Sequence, residues 1–421
     1  MPFVLCVIGL GFGDETKGAT VDALCRHTGA DVIVRHNGGA QAAHNVCLPD
    51  GRHHTFAQIG SGSFVPNVQT VLSKFMLVNP STWLVEAESF CKQASSVPTV
   101  LGARTWVDER AVVTTPFHVA LNRTREYARG VTKHGTTGMG ISETVLDSLS
   151  RSDVMRCGDL RGPRGQIMSG LLRTREALLP EIKRLGAEIE FDRLNPDRIV
   201  DRFIKFANMT HIVSNERLAK LTQAANGVIF EGAQGLLLDE NYGFHPHTTW
   251  STTTDRNARN LCFDYGISSP YVIGVTRTYG TRHGAGPFPG EEPKMGFPEL
   301  HNNDSGMAGT FRQGYLHLPL LKYAAVCMGQ LNGLAVSHLD CQPFRYCDLD
   351  TELVLSMPCT IQAQEGLCRQ AWRSKPTVRL HDEQAGEFPR FLASELSVPL
   401  CMTSDGPTHL NRQVTLPAGV V

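Results

Sequence analysis

Residues 9–22 read GLGFGDETKGATVD, directly behind the apolar run Val4–Ile8. A short apolar run stopped by glycine has the pattern of a strand. From Lys17 onward the spacing suits a helix, so Gly9, Gly11 and Gly13 fall at a strand-to-helix turn. Backbone N–H groups at such a turn, aided by the helix N-terminus, form a cradle for phosphate. The stretch departs from both common nucleotide fingerprints. The dinucleotide pattern G-x-G-x-x-G wants glycine where Asp14 stands, and the P-loop wants Gly-Lys-Ser/Thr where Lys17 precedes Gly18-Ala19. An acid inside a phosphate loop makes sense if it holds a cation or does chemistry.

The bulk numbers exclude several classes. The chain of 421 residues carries 40 basic and 41 acidic side chains, so no global field draws it to nucleic acid or an anionic membrane. No apolar run approaches the roughly 18 to 20 residues of a membrane span. The N-terminus lacks the basic start of a secretory signal and reaches glycine at position 9. Twelve cysteines are scattered without a C-x-x-C pair, which reads as reduced thiols in a cytosol-like compartment.

Apolar runs recur with helical patterns between them: VLCVI, DVIVR, TVLS, GVIFEG, YVIGVT, GLAVSHLD and VPLCMTSD. That alternation predicts a mostly parallel sheet with helices on both faces. The longest polar, Gly/Pro-rich tract runs from about Gly280 to Gly314 and reads as one long functional loop.

Six more segments offer chemistry. VRHNGGAQAAHNV (34–46) places His44 in a second glycine-rich turn, where carboxylate and imidazole together suit acid–base work on a nucleotide; alone, a histidine is more often structural. HGTTGMGIS (134–142) offers backbone N–H groups and two hydroxyls to a phosphate monoester, or forms an ordinary turn. IFEGAQGLLLDENYGFHPHTT (229–249) brings Glu231 and Gln234 off a strand end; its His245 and His247 lack the further ligands a zinc site needs. GVTRTYGTRHGAGPFP (274–289) holds Arg277 and Arg282, anion ligands or solvated charges. LAVSHLD ends in Asp340, a carboxylate able to accept the two N–H groups of a guanine edge, and TSDGP (403–407) suits a base-stacking turn or a surface loop.

Taken in order, these seven segments resemble the adenylosuccinate synthetase family nearly end to end. GDETKG stands where that family has G-D-E-G-K-G, GGAQAAH where it has G-G-x-N-A-G-H, and GTTGMGI where it has G-T-T-G-x-G-I. FEGAQG, TRHGAGPFP and SHLD match F-E-G-A-Q-G, T-R-x-G-x-G-P-F-P and T-K-L-D. The resemblance implies a large, mostly parallel α/β sheet related to the P-loop NTPases, in one domain spanning residues 1–421. It also implies a cytoplasmic C–N ligase of purine biosynthesis. Such an enzyme joins L-aspartate to C6 of inosine monophosphate, using GTP and Mg2+, through a 6-phosphoryl intermediate, and yields adenylosuccinate, GDP and phosphate.

The same resemblance implies roles. Asp14 would take the purine N1 proton and help hold Mg2+, with Ala43 as a second metal contact. His44 would stabilise or protonate the leaving side, and Lys17, Gly13, Glu15 and Gly18 would hold the GTP phosphates. Gln41, Thr136, Thr137, Gln234, Thr249 and Val275 would surround the nucleotides, with Arg282 among the anion ligands. Asp340 would read guanine, flanked by His338, Ser404 and Gly406. Arg151 lies where the family sends an arginine into the neighbouring subunit's site, which implies a homodimer.

Departures bear on the substrates. Gln41 replaces Asn, Ala43 replaces Gly, His338 replaces Lys and Met139 replaces Arg of the family pattern. In the donor loop, GMAGTFRQGYL keeps only Arg312 where the family carries several arginines, leaving it as the surviving anchor for a donor carboxylate. The alternative is therefore a paralogue shifted to another 6-oxopurine nucleotide such as dGMP, or to another amine donor. Phage members of that kind replace the catalytic Asp with Ser, whereas Asp14 is present. A non-catalytic nucleotide-binding regulator would need neither Asp14 nor His44, and the third glycine that a Rossmann dehydrogenase requires is missing here.

Overall fold

A computed structural model describes every residue except 300, 303–306, 308 and 382–385. The opening strand β1 (Phe3–Gly9) is followed by helix α1 (Lys17–Thr28) and strand β2 (Val32–Arg35). Along β1 the side chains alternate between two cores: Val4, Cys6 and Ile8 join one cluster, Leu5 and Val7 the other. A strand covered on both faces must be apolar at every position, which is why VLCVI reads as a continuous run.

The central sheet has ten strands. In spatial order they are Arg412–Val414, Leu400–Ser404, Gly333–Ser337, Tyr271–Arg277, β1, Gly227–Gly235, β2, Gln69–Leu72, Thr105–Asp108 and His211–Val213. Every pairing is parallel except the one between Leu400–Ser404 and Arg412–Val414. All seven apolar runs of the sequence lie in this sheet. Parallel strands deliver their C-terminal ends, and the loops that follow, to one edge of the molecule. The phosphate loop, the 36–43 turn, the turn after Gly235, Arg277 and Asp340 all leave from that edge.

A small hairpin, β3 (His44–Cys47) and β4 (His53–Phe56), pairs antiparallel beside α1. The tract 280–314 is not one loop. Its ends form strands Tyr279–His283 and Phe311–His317, which pair antiparallel with Gly280 opposite Gly314 and Arg282 opposite Arg312. Glycine and charge at alternating positions disguise these strands, because only one face of the ribbon is apolar.

Candidate active site

The loop joining β1 to α1 is folded around a buried ion pair. Lys17 Nζ lies 3.0 Å from Glu15 Oε2, and both side chains are almost wholly enclosed. Glu15 Oε1 accepts the Gly13 N–H at 2.7 Å, and Lys17 also donates to the Gly13 carbonyl. A Cβ on Gly9 would stand 2.2 Å from Glu15 Oε2, and one on Gly11 2.6 Å from Oε1. Glycine at both positions lets the carboxylate fold back into its own loop. Where the resemblance has Gly13, Glu15 and Lys17 holding phosphate, Glu15 here occupies the Gly13 amide and neutralises Lys17. The physical reason is local compensation, since a buried ammonium needs the nearest carboxylate.

Asp14 stands apart from that pair. Its side chain is about 20% exposed, and His283 Nε2 lies 3.8 Å from its Oδ2. Arg277 donates its Nε–H to the Asp14 main-chain carbonyl, not to the carboxylate. Burial raises the Asp14 pKa above the ordinary carboxylate value, with His283 and Arg277 opposing. An under-compensated carboxylate of raised basicity suits a proton acceptor or an oxygen ligand for a hard cation. Ala43, exposed just ahead of β3, offers only its main-chain carbonyl to such a cation. These two oxygen donors fit Mg2+.

His44 begins β3 against the first turn of α1. A Cβ on Gly18 would meet the His44 Cβ at 2.6 Å, so glycine there permits the close approach. His44 Nδ1 lies 2.5 Å from Glu231 Oε1, and Glu231 also accepts the Ser61 N–H at 3.0 Å and the Ser61 hydroxyl. Against the penalty of complete burial, the Arg35 guanidinium and the His44 bond hold Glu231 down to about 2. Burial pulls His44 down to about 4 despite Glu231. The resting pair is an ionised Glu231 accepting from the Nδ1–H of a neutral imidazole, which orients Nε2 with its lone pair outward. The sequence placed Glu231 at a strand end but gave neither its bond to His44 nor the support of Ser61; Glu231 is 187 residues from His44, so no local pattern joins them.

On the nucleotide side, two amides stand without partners among the described residues. Both amide atoms of Gln41 and the Gln234 Oε1 are buried and unpaired. The Gln41 amide lies against Gly38, where a Cβ would stand 2.7 Å from Gln41 Nε2, and the Gln234 main chain lies against the phosphate loop, where a Cβ on Gly9 would stand 3.0 Å from its carbonyl oxygen. Gln234 holds a left-handed φ of 62°, a conformation that costs a non-glycine residue about 1 kcal/mol. Buried orphan amides next to a strained turn mark a place for a polar ligand. Thr249 sits nearby, its N–H on the Leu238 carbonyl at 2.8 Å.

The Gly-Thr-Thr-Gly turn is partly occupied by its own chain. Glu126 accepts the N–H groups of Gly135 at 2.7 Å and Thr136 at 3.3 Å, and the Thr136 hydroxyl donates to Asn122 at 3.1 Å. Thr137 is exposed and remains the donor facing outward.

Three expected anion ligands are committed elsewhere. Arg282 is buried, donates to the carbonyls of Ala285, Pro287 and His247, and stacks over Phe12 at 4.3 Å. Burial, then repulsion from Arg312, lowers it to about 9. Arg312 donates to the carbonyls of Gly284 and Gly286 at 2.8 Å each and pairs with Glu291 at 2.8 Å. Of its stretch, positions 306 and 308 lie outside the described residues. Arg151 is clamped within its own subunit, to Asp147 at 2.5 and 2.8 Å and Asp153 at 3.0 Å. Carboxylates one helical turn away or across a tight ribbon win Arg151 and Arg312, and main-chain carbonyls win Arg282, because these partners cost no ordering of a second molecule. Val275 supplies no side chain either: it is core, and its carbonyl accepts the Leu10 N–H at 3.0 Å.

At the far end of the edge, Asp340 is exposed after a turn in which His338 takes φ 64°. The Leu339 N–H donates to the Ser404 carbonyl at 3.0 Å, bringing Asp340 beside the 404–406 turn. A Cβ on Gly406 would lie 2.6 Å from the Asn411 side chain, so this turn too requires glycine. His338 does not replace the cation of a lysine. Burial, with Arg277 and Arg412 nearby, holds it neutral with a pKa of about 2.

Comparison with known proteins agrees with this arrangement. The profile of the family described as adenylosuccinate synthetase matches residues 6–344. Adenylosuccinate synthetase of Synechococcus sp. is 31% identical over 96% of this chain and 94% of its own length. That of Nostoc punctiforme is 28% identical over 96% and 92%. The solved structure of fully ligated adenylosuccinate synthetase from Plasmodium falciparum shares the fold, with a TM-score of 0.77 at 21% identity over 98% of this chain and 100% of that one. Cyanophage S-2L succinoaminodeoxyadenylate synthetase, solved with dGMP and dATP as an energy donor, gives 0.62 at 14% identity over 99% and 96%. With an α/β sheet of this topology and relatives matching along nearly its whole length, the chain belongs to the adenylosuccinate synthetase family of GTP-dependent ligases that form a C–N bond.

Proposed function

We propose that the chain, acting as one domain over residues 1–421, joins L-aspartate to C6 of inosine monophosphate with GTP. The observation that carries this reading is the Glu231-held His44 packed against Gly18 in the first turn of α1, the helix that the Asp14 loop leads into. Asp14 accepts the N1 proton, which builds charge on O6, and O6 attacks the γ-phosphorus as the bond to GDP breaks. The neutral His44 Nε2 rests beside the transferring group; a phosphoryl dianion there raises its affinity for a proton and makes it an acid toward the leaving oxygen. The aspartate amine then displaces phosphate from C6. Bound Mg2+ would neutralise phosphate charge, held by Asp14 and the Ala43 carbonyl.

Gln41 and Gln234 hold the monophosphate nucleotide through their free amides, with Thr137 and Thr249. The Gly18 amide, at the start of α1, faces a GTP phosphate. Lys17 and Gly13 exchange Glu15 for phosphate when GTP arrives. Asp340, with Ser404 and Gly406, accepts the guanine N–H groups. A homodimer in the cytoplasm completes the proposal, with Arg151 leaving Asp147 to reach the partner's site. In support of a soluble setting, no helix among the described residues is long and apolar enough to cross a membrane.

A second reading has its own observation. The donor-side arginines Arg277 and Arg312 are already paired with Glu299 and Glu291, which favours an amine donor carrying less negative charge than aspartate. One panel tests both: each purine monophosphate with each amino acid and either GTP or ATP, followed by phosphate release and product mass. Adenylosuccinate formed with GTP supports the main reading, and a different condensed product supports the second.

A further inference from the structure

Outside the nucleotide site, Cys47, His53 and His301 bring one ligand atom each to within 4.8 Å of one another. They come from separate parts of the chain. Cys47 ends β3 and His53 opens β4, facing each other across the hairpin, while His301 arrives from the tract after Glu299. Cys47 Sγ is 3.4 Å from His301 Nε2, and the two imidazoles stack at 3.7 Å. A tetrahedral zinc ion with thiolate and imidazole ligands has an S···N edge of about 3.5 Å, from Zn–S of about 2.3 Å and Zn–N of about 2.0 Å. The His53 ring is held at Nε2 by Asn45 Oδ1 at 2.9 Å, and Asn45 is fixed in turn by the Thr55 hydroxyl at 2.7 Å. Outer carbonyl partners of this kind orient metal-binding histidines.

The bland alternative is a stacked histidine pair beside a thiol. It explains the stacking but gives no reason for a sulfur in the same cluster. Cys47 is half-buried; ten of the other eleven cysteines are buried and one is exposed, and neither group of thiols belongs to such a cluster among the described residues. The donor set is soft to borderline, which selects zinc over the magnesium that Asp14 and Ala43 suit.

We infer that Cys47, His53 and His301 form a second metal site, for zinc or a similar divalent transition ion, that fastens the segment at His301 to the hairpin carrying His44. Binding displaces the Cys47 thiol proton to solvent and forms the S–metal bond; the imidazoles bind through neutral nitrogens, turning out of their stack, and water completes the tetrahedron. The inference stands independently of the ligase reading, because none of Cys47, His53 and His301 has a part in that reading.

Cobalt titration of the metal-free protein tests it. Thiolate coordination gives a near-ultraviolet sulfur-to-cobalt charge-transfer band, which cobalt at an oxygen-ligated magnesium site cannot produce. The expected result is that band at one equivalent, abolished in Cys47→Ser and weakened at least about tenfold in affinity in His301→Ala, with zinc displacing cobalt. His301 is exposed, so its alanine variant keeps the fold. Absence of the band in the wild type, or an unchanged band in both variants, overturns the site.

Discussion

At the scale of residues, the distinctive feature is that charge compensation is supplied by the chain itself. Glu15 answers Lys17, Arg35 answers the ionised Glu231 that holds the neutral His44, and Glu291 answers Arg312, while Asp14 has His283 3.8 Å away. Burial raises the Asp14 pKa, and Asp14 is the group proposed to take the proton. Asp14→Asn keeps the size and removes the base, and turnover at saturating substrates should fall by about 10² to 10⁴ with an unchanged melting temperature. Glu231→Gln should lower kcat about tenfold or more while leaving nucleotide KM near wild type, because it frees the imidazole to rotate without touching the amides that hold the base. A large rise in KM with constant kcat would place His44 in binding rather than chemistry.

At the scale of elements, α1 and β3 are set by glycine. Gly18→Ala puts a methyl 2.6 Å from the His44 Cβ, so the hairpin must move away from the helix. The expected cost is about 1 to 3 kcal/mol in denaturant unfolding, together with a loss of kcat, since the displaced atom belongs to the imidazole proposed to act in phosphoryl transfer. Stability lost at full activity would show that His44 tolerates displacement. The donor side gives a paired test. Arg312→Leu should raise the KM for the amine donor about tenfold, whereas Glu291→Gln should lower it by releasing the guanidinium. Equal effects of the two substitutions would mean that the pair only braces the ribbon.

Element by element, the sequence was legible where apolar runs were long. Strands buried on both faces, such as β1 and Tyr271–Arg277, announce themselves. Thr105–Asp108 and His211–Val213 at one margin of the sheet and Arg412–Val414 at the other are short and half polar, so they escaped. The site was legible as far as single loops, because each motif is local. What each loop does with its charges was not: Glu126 in the Gly135 amides and Asp147 on Arg151 are tertiary choices between competing partners.

At the scale of the whole molecule, several neutral histidines are buried together. His36, His44, His54 and His338 have pKa values lowered to about 3, 4, 4 and 2, in each case by burial first. A histidine depressed in the folded state binds its proton more readily when unfolded. The stability it contributes is therefore present above the unfolded value near 6.5 and is lost as pH falls toward the folded value. The melting temperature should drop steadily from pH 7 to pH 5. His54→Phe, which keeps the aromatic contacts with Phe56 and Phe90, should remove about 1 kcal/mol of that loss. A pH profile unchanged by the substitution would mean that His54 is hydrated. The central claim, that Asp14 and His44 activate O6 for phosphoryl transfer ahead of amine attack, is tested most directly by heavy oxygen. Inosine monophosphate labelled at O6 is turned over with GTP, Mg2+ and aspartate, and the released phosphate is weighed. The account predicts that the O6 label appears in phosphate, one atom per turnover, and that Asp14→Asn releases neither. Unlabelled phosphate accompanying product, or full turnover in Asp14→Asn, would contradict it.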